Sequence, residues 1–128
     1  MKTSITLAIV AFCAILSTTG CYYDVEEELY PVTTCDTVDM SFDTDIVAIL
    51  QRECLACHSN AAHQSIGGGV NLDGYDNVKT YVDNGKLLSS ITHDGNASFM
   101  PKSANNRKLA KCEIDKITVW INDGARKR

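Results

Sequence analysis

The segment Cys-Leu-Ala-Cys-His at positions 54–58 constrains this chain more than any other feature of its sequence. Two thiols three residues apart, followed directly by a histidine, have the spacing of c-type haem attachment. The thiols can bond to the two vinyl groups on one edge of a porphyrin, while the adjacent imidazole reaches the iron from one face. The sequence therefore predicts one covalent haem c, attached at Cys54 and Cys57, with His58 as an axial iron ligand.

Three other kinds of site also use two nearby cysteines: a redox dithiol, a zinc half-site and a structural disulfide. A thioredoxin-like dithiol belongs to a βαβ context, which the sequence pattern does not indicate. A zinc site needs a second ligand pair at comparable spacing, whereas Cys35 and Cys112 stand alone. The adjacent histidine, together with the export signal described next, favours haem over these alternatives.

The first twenty residues are typical of a secretory signal peptide. Lys2 is the one early positive charge, and residues 5–16 are apolar apart from Thr6, with small residues at 17–20. A transmembrane helix, the alternative, needs about 20 apolar residues, and this run is shorter. We expect residues 1–20 to be removed during export.

Cys21 follows the small residues directly and resembles the acylated cysteine of bacterial lipoproteins. Thr18 occupies the position where the usual lipoprotein box has leucine, and such looser boxes resemble those of Bacteroidota lipoproteins. Residues 21–40 are then an acidic lipoprotein tether, since residues 21–51 contain eight acids and no base. The alternative is ordinary cleavage near Gly20, which leaves Cys21 as a plain thiol.

The cysteine count bears on this choice because export leads to an oxidising compartment. Cys13 is lost with the signal peptide, which leaves five cysteines, and acylation of Cys21 reduces them to an even four. Cys35 and Cys112 are then the natural disulfide, with two buried free thiols as the alternative. The expected location is the bacterial cell envelope, as an exported lipoprotein that is periplasmic or associated with the outer membrane.

Residues 41–128 are predicted to form one all-α domain. Phe42, Ile46 and Leu50 recur at helical spacing and predict a first helix that ends at the haem motif. The segment 59–73 contains three consecutive glycines at 67–69 and is expected to be irregular. Short helices are predicted near 75–82 and 85–91, and a last helix from residue 110 or 111 to residue 122.

This order of elements resembles a small class I cytochrome c domain. The shared features are a first helix that ends in the Cys-x-x-Cys-His motif, short middle helices, a Met100-Pro101 loop and a last helix that carries Trp120. The resemblance extends over about residues 41–126. It implies the class I cytochrome c fold, in which the N- and C-terminal helices cross while short helices and loops wrap one covalent haem.

Three residues after His58 are candidates for the sixth iron ligand. His63 is too close in sequence to cross the ring edge, whereas His93 and Met100 are both within reach of an extended chain. Pro101 disfavours the α conformation at Met100, and the Met-Pro pair resembles the distal loop of class I cytochromes c. We therefore predict Met100 as the ligand, with His93 or an open iron as alternatives, and otherwise interpret His93 as a surface residue.

An iron with both axial positions filled by His58 and Met100 excludes substrate, which indicates an electron carrier rather than an enzyme. The alternative is a haem-based gas or redox sensor in which Met100 dissociates from the iron. A peroxidase lacks support, because the chain contains no second haem motif and no evident distal acid-base pair. The side chains expected to keep water from the haem are those of Leu72, Tyr75, Leu88 and Phe99.

The net charge of −4 gives no reason to expect nucleic acid as a partner. Residues 52–128 are nevertheless mildly basic, with eleven bases and eight acids. Four of these bases follow the Met100 loop with no acid between them: Lys102, Arg107, Lys108 and Lys111. They are interpreted as a rim beside the haem edge that docks acidic redox proteins or quinol-linked complexes, and the alternative is an ordinary solvated surface.

Overall fold

A computed structural model of the chain describes residues 35–102 and 107–128. Every regular element in these residues is helical and none is a strand, which confirms the all-α prediction for this part of the chain. The elements are a π-helical turn, Phe42–Ile46, and five α-helices: α1, Val47–Glu53; α2, Leu55–His58; α3, Tyr75–Asp83; α4, Lys86–Thr92; and α5, Lys111–Asn122.

The predicted signal peptide, the acylated Cys21 and most of the acidic tether lie in residues 1–34, outside the described residues. None of the described helices has the length and the apolar character that crossing a membrane requires.

The π-helical turn and α1 together form the first helix, and Ser41 is the N-cap residue that precedes it. The backbone of Ser41 is extended, and its N–H donates to the Asp45 carboxylate at 3.0 Å. The Ser41 carbonyl accepts hydrogen bonds from the N–H groups of both Asp45 and Ile46, so the opening turn is π-helical. The Thr44 hydroxyl, followed by the Ser41 backbone, lowers the pKa of Asp45 and keeps this carboxylate ionised beside the helix start.

Phe42 joins the first helix to α3 and α5. Its ring meets the edge of Tyr75 at a centroid distance of 5.3 Å and packs against Trp120 at 5.9 Å. Trp120 is fully buried, and α5 contacts the π-helical turn. The buried apolar residues are Met40, Phe42, Ile46, Ile49, Leu50, Leu72, Val78, Leu87, Ile91, Leu109, Ile117, Trp120 and Ala125.

The packed unit extends to the N-terminal side of residue 41, the predicted start of the domain. Met40 is buried in the core. The Sγ atoms of Cys35 and Cys112 are bonded as a disulfide, with a sequence separation of 77 residues. The last residues of the predicted tether, 35–40, therefore belong to the packed domain and are fastened to α5.

The C-terminal tail is bonded to this core and to the start of the first helix. The indole Nε1–H of Trp120 donates to the Arg126 carbonyl at 2.7 Å. The same carbonyl accepts the N–H of Phe42 at 3.3 Å, and the Lys127 carbonyl accepts the N–H of Asp43 at 3.1 Å. The tail thus satisfies backbone donors at the start of the first helix that have no partner within that helix.

Ala110 is the N-cap of α5, although its side chain cannot accept a hydrogen bond. Glu113 compensates in part, because its carboxylate accepts the Ala110 N–H at 3.0 Å. Beyond the helix end, Gly124 adopts a φ of 89°, and the N–H of Ala125 donates to the Trp120 carbonyl at 2.8 Å. This left-handed residue reverses the chain and delivers the tail to the core.

Candidate functional site

A cavity of about 710 Å³ opens between the first helix, the loop after it and the segment that carries Met100. Cys54, Cys57, His58 and Met100, the four predicted haem-binding residues, all line it. Its volume lies within the roughly 300–1,000 Å³ that is usual for ligand pockets. Much of its remaining wall is apolar, formed by Val70, Leu72, Tyr81, Leu87, Ile91 and Leu109.

The two motif cysteines are not bonded to each other; Cys54 is half-buried and Cys57 exposed. Cys54 interrupts the helix between α1 and α2, with a φ of −123°. Burial, and secondarily the charges of Glu53 and Glu113, raise the pKa of Cys54 to about 12. A redox dithiol depends on a thiol whose pKa is lowered, so the environment of Cys54 does not favour that alternative.

His58 is buried, and its ring is fixed by the backbone of the following loop. The Nδ1 atom lies 2.9 Å from the Val70 carbonyl oxygen. Because a carbonyl can only accept, Nδ1 carries a proton, and in the neutral imidazole the lone pair is then on Nε2. No described residue hydrogen-bonds to Nε2, which leaves this atom able to bind a metal.

A second hydrogen bond joins His58 to the same loop: the His58 backbone carbonyl accepts the Leu72 N–H at 2.8 Å. Gly67 allows the loop to lie this close to the motif. A Cβ atom at Gly67 would stand 2.4 Å from the Cys57 carbonyl oxygen and 2.7 Å from the His63 Cα. The prediction that segment 59–73 is irregular is confirmed, and the close approach that requires glycine is made to the chain's own backbone.

Of the three candidates for the sixth ligand, Met100 is the one that lines the cavity. Neither His63 nor His93 is among the described residues that form its wall. The His63 ring lies within hydrogen-bond distance of the Ser59 and Asn60 carbonyls, at 3.1 Å from each. The candidate that the sequence favours is therefore the one whose residue shares a cavity with the motif.

His93 differs from its interpretation as a surface residue. It is half-buried, and its Nε2 atom lies 2.9 Å from the carbonyl oxygen of Met100. Its ring stacks on Phe99 at a centroid distance of 4.7 Å. Sequence reasoning missed this contact because it depends on how the chain returns to the end of α4 after seven residues.

Two of the four bases of the predicted docking rim are in ion pairs, and the other two are exposed lysines. Arg107 pairs with Glu53 at 2.9 Å, and Lys111 pairs with Asp115 at 2.5 Å. Lys102 and Lys108 are exposed, and Lys102 also lines the cavity. A cation that the sequence did not single out, Lys86, lines the cavity as well.

Glu53 is the carboxylate at this edge of the cavity, and two arginines surround it. The hydrogen bond from Arg107, followed by that from Arg52, lowers the pKa of Glu53. Arg52 also reaches Glu113 on α5. These ion pairs link Arg107 to Glu53 at the end of α1, next to Cys54.

Only one of the four side chains expected to keep water from the site does so. Leu72 lines the cavity, whereas Tyr75 faces Phe42 and donates its hydroxyl to the Ala125 carbonyl at 2.9 Å. Leu88 is half-buried outside the cavity wall, and Phe99 is 40% exposed. For Tyr75 and Leu88 the expectation was wrong because helical spacing indicates an apolar face without fixing which neighbour that face meets. For Phe99 it was wrong because its ring, on a segment without regular secondary structure, stacks on His93.

Within residues 35–102 and 107–128, no three His, Cys, Asp or Glu side chains form a group that could hold a metal ion by themselves. No protein-family model, curated protein or solved structure matches the chain.

Proposed function

We propose that this chain is a membrane-tethered monohaem c-type cytochrome that transfers electrons in the bacterial cell envelope. One observation carries the proposal: a single cavity brings together both motif cysteines, the adjacent His58 and Met100. The finer form of the proposal is that the helical domain has the class I cytochrome c fold.

The residues of the cavity fit a haem in three respects. Both thiols line the same cavity and are free to form thioether bonds. In the neutral His58 ring the lone pair is on Nε2, because Nδ1 donates to the Val70 carbonyl. The wall is largely apolar, as the faces of a porphyrin require. When bound, the haem supplies an iron that gains and loses one electron.

The chain's own residues set the properties of this site. The bond from His58 to Val70 orients the imidazole before any ligand arrives. If the iron is bound there, the Met100 thioether would be a soft ligand for it and would favour ferrous iron more than a second histidine would. The apolar side chains that surround the cavity exclude water and disfavour additional charge.

The alternative of a gas or redox sensor draws on a different observation. Met100 lies on a segment without regular secondary structure, between α4 and residue 102. A ligand on such a segment can leave the iron if its backbone is weakly held. The hydrogen bonds made by that backbone therefore bear on the choice between the two functions.

The cell-envelope location rests on the sequence of residues 1–34, and the proposed anchor is an acylated Cys21. The proposed partners of the cytochrome domain are acidic redox proteins or quinol-linked complexes. Mass spectrometry of the mature protein from its own host should find the new N-terminus at Cys21 with fatty acids attached. An unmodified Cys21 would refute the anchor without affecting the haem.

The central test is covalent haem attachment. Protein made in a host that matures c-type cytochromes should keep a peroxidase-active band on a denaturing gel. A variant with Cys54→Ala and Cys57→Ala should lose the band, while one with Cys35→Ser and Cys112→Ser should keep it, because these cysteines lie outside the motif. Colour that organic extraction removes from the wild-type protein would contradict the proposal.

A further inference from the structure

We infer that His93 is a positioning residue, which holds Met100 at the cavity through a hydrogen bond to its backbone. The inference rests on the proposed function, in which Met100 is the sixth ligand, and adds a residue that the sequence assigned to the surface. It concerns what keeps that ligand in place.

Both backbone polar groups of Met100 bind to the C-terminal end of α4. The Met100 N–H donates to the Ser90 carbonyl at 3.0 Å. The Met100 carbonyl lies 2.9 Å from Nε2 of His93 and, being an acceptor only, receives a hydrogen bond from it. The carbonyls in the last turn of a helix have no partner within the helix, so Ser90 is free to receive the returning chain.

Two hydrogen bonds on either side of one Cα fix more than the position of that residue. Because they hold the two peptide groups that flank Met100, they also restrict the direction in which its side chain leaves the backbone. That side chain lies at the cavity. The bond that Met100 donates to Ser90 and the bond that it accepts from His93 thus attach a residue of an irregular segment to the end of α4.

His93 is itself placed by an unusual backbone conformation. It ends α4 with a φ of 56° and a ψ of 43°, in the left-handed region that few residues other than glycine adopt. Its ring stacks on Phe99 with the ring planes 17° apart. The next residue, Asp94, accepts hydrogen bonds from the Ser89 hydroxyl and, at 2.9 Å, from the Asn96 N–H. The turn that directs His93 towards Met100 is therefore held on both sides.

The bond from His93 has a functional consequence for the choice between carrier and sensor. A ligand from outside can reach the iron only in the fraction of molecules in which Met100 has moved away. One net hydrogen bond stabilises by about 1 kcal/mol, and leaving the Met100 carbonyl unpaired adds to the loss. Removing the donor should raise that fraction, and the rate of ligand entry with it, about five- to tenfold.

The test measures carbon monoxide binding to the reduced haem protein by stopped flow, together with the weak far-red band of Met-to-iron coordination in the oxidised protein. His93→Phe keeps a ring against Phe99 but lacks the donor, and should bind carbon monoxide about five- to tenfold faster with a weaker far-red band. His93→Gln retains an N–H donor and should remain close to the wild-type protein.

Two further variants guard against a general loss of structure. His93→Asn tolerates the left-handed conformation, but its shorter amide cannot reach Met100, so it should behave as His93→Phe does. His63→Phe is the matched control, because this ring contacts the Ser59 and Asn60 carbonyls and not Met100. It should leave both measurements unchanged.

The outcomes separate this inference from the proposed function. A wild-type protein without the far-red band refutes Met100 ligation, and the role of His93 falls with it. A wild-type protein with the band, and a His93→Phe variant with unaltered band and rate, overturns the role of His93 alone. Equal acceleration in the Phe and Gln variants also overturns it, since the donor would then not be the cause.

Discussion

The Nδ1 atom of His58 lies 2.9 Å from the carbonyl oxygen of Val70, twelve residues further along the chain. The contact is made to backbone, so no side-chain substitution at Val70 removes the acceptor itself. A displacement of the loop 59–73 would move this acceptor away from the ring. The orientation of the imidazole therefore depends on the residues that allow this loop to pack closely.

Gly67→Ala is the most direct way to displace that loop. The added Cβ would stand 2.4 Å from the Cys57 carbonyl oxygen, and because both partners are backbone, the loop has to move. We expect a loss of about 1 to 3 kcal/mol in the free energy of unfolding, with an altered absorption spectrum of the haem protein. Denaturant unfolding and visible spectroscopy measure the two effects.

Gly68→Ala is the control for this variant. Gly68 has a φ of 61°, but a Cβ there meets no atom within 4 Å. The substitution should cost about 1 kcal/mol through backbone strain alone and leave the spectrum unchanged. Equal spectra for the two variants would show that the close approach of Gly67 does not position His58.

Low pH should weaken the ion pair between Arg107 and Glu53 at the end of α1. Arg107, and then Arg52, hold the pKa of Glu53 below its ordinary value of 4.5. Glu53 therefore stabilises the folded state above about pH 4.5, and this contribution is lost as the pH falls through the lowered pKa. The free energy of unfolding is measured from pH 3 to 7. For Glu53→Gln it should be lower than that of the wild-type protein near neutrality, and it should fall less steeply in acid than that of the wild-type protein does.

Asp115→Asn provides the comparison, because it removes an exposed pair with Lys111 four residues away on the same helix. Such pairs contribute little, so this variant should follow the wild-type acid profile. The assignment fails if Glu53→Gln loses stability in acid as steeply as the wild-type protein does.

Removing the disulfide should destabilise the domain through the unfolded state. Cys35 and Cys112 are 77 residues apart in sequence, and in the chain-entropy model a loop of this length contributes about 4 to 5 kcal/mol. The Cys35→Ser and Cys112→Ser double variant should unfold at markedly lower denaturant concentration. A midpoint equal to that of the oxidised wild-type protein would contradict the prediction.

Deleting residues 126–128 should destabilise the core without touching a core side chain. The deletion removes the acceptors of three N–H groups, those of the Trp120 indole, Phe42 and Asp43. At about 1 kcal/mol for each bond, the expected loss is roughly 2 to 4 kcal/mol, measured by thermal or denaturant unfolding. Replacing the three basic side chains with glutamine keeps the carbonyls, and should change stability by less than about 0.5 kcal/mol.

The rate of electron transfer to an anionic oxidant should depend on Lys102 and Lys108, the two exposed lysines of the basic rim. Lys102→Gln with Lys108→Gln should slow the reaction and flatten its dependence on salt, because both side chains are exposed. Lys111→Gln should have a smaller effect, since Asp115 already offsets that charge. Rates measured across a salt series test this, and the rim has no docking role if the double variant reproduces the wild-type series.

The sequence by itself determined the parts of this protein that are local in the chain. Helical spacing identified the helices, including the end of α5 at Asn122, because these depend on residues within a few positions of each other. The Cys-x-x-Cys-His motif carries its chemistry in five consecutive residues. Met100 could be preferred over His93 because Pro101 acts on its immediate neighbour.

Only the tertiary structure decided which distant groups meet. The bond from His58 to Val70, the pairing of Glu53 with Arg107 and the contact between His93 and Met100 each join chain segments through backbone or charged groups. Every residue has the same backbone carbonyl, so the residue pattern does not predict which carbonyl accepts a given hydrogen bond. The same limit applies to Tyr75 and Phe99, whose apolar character was visible in the sequence, while the neighbours that they contact depend on how the helices pack.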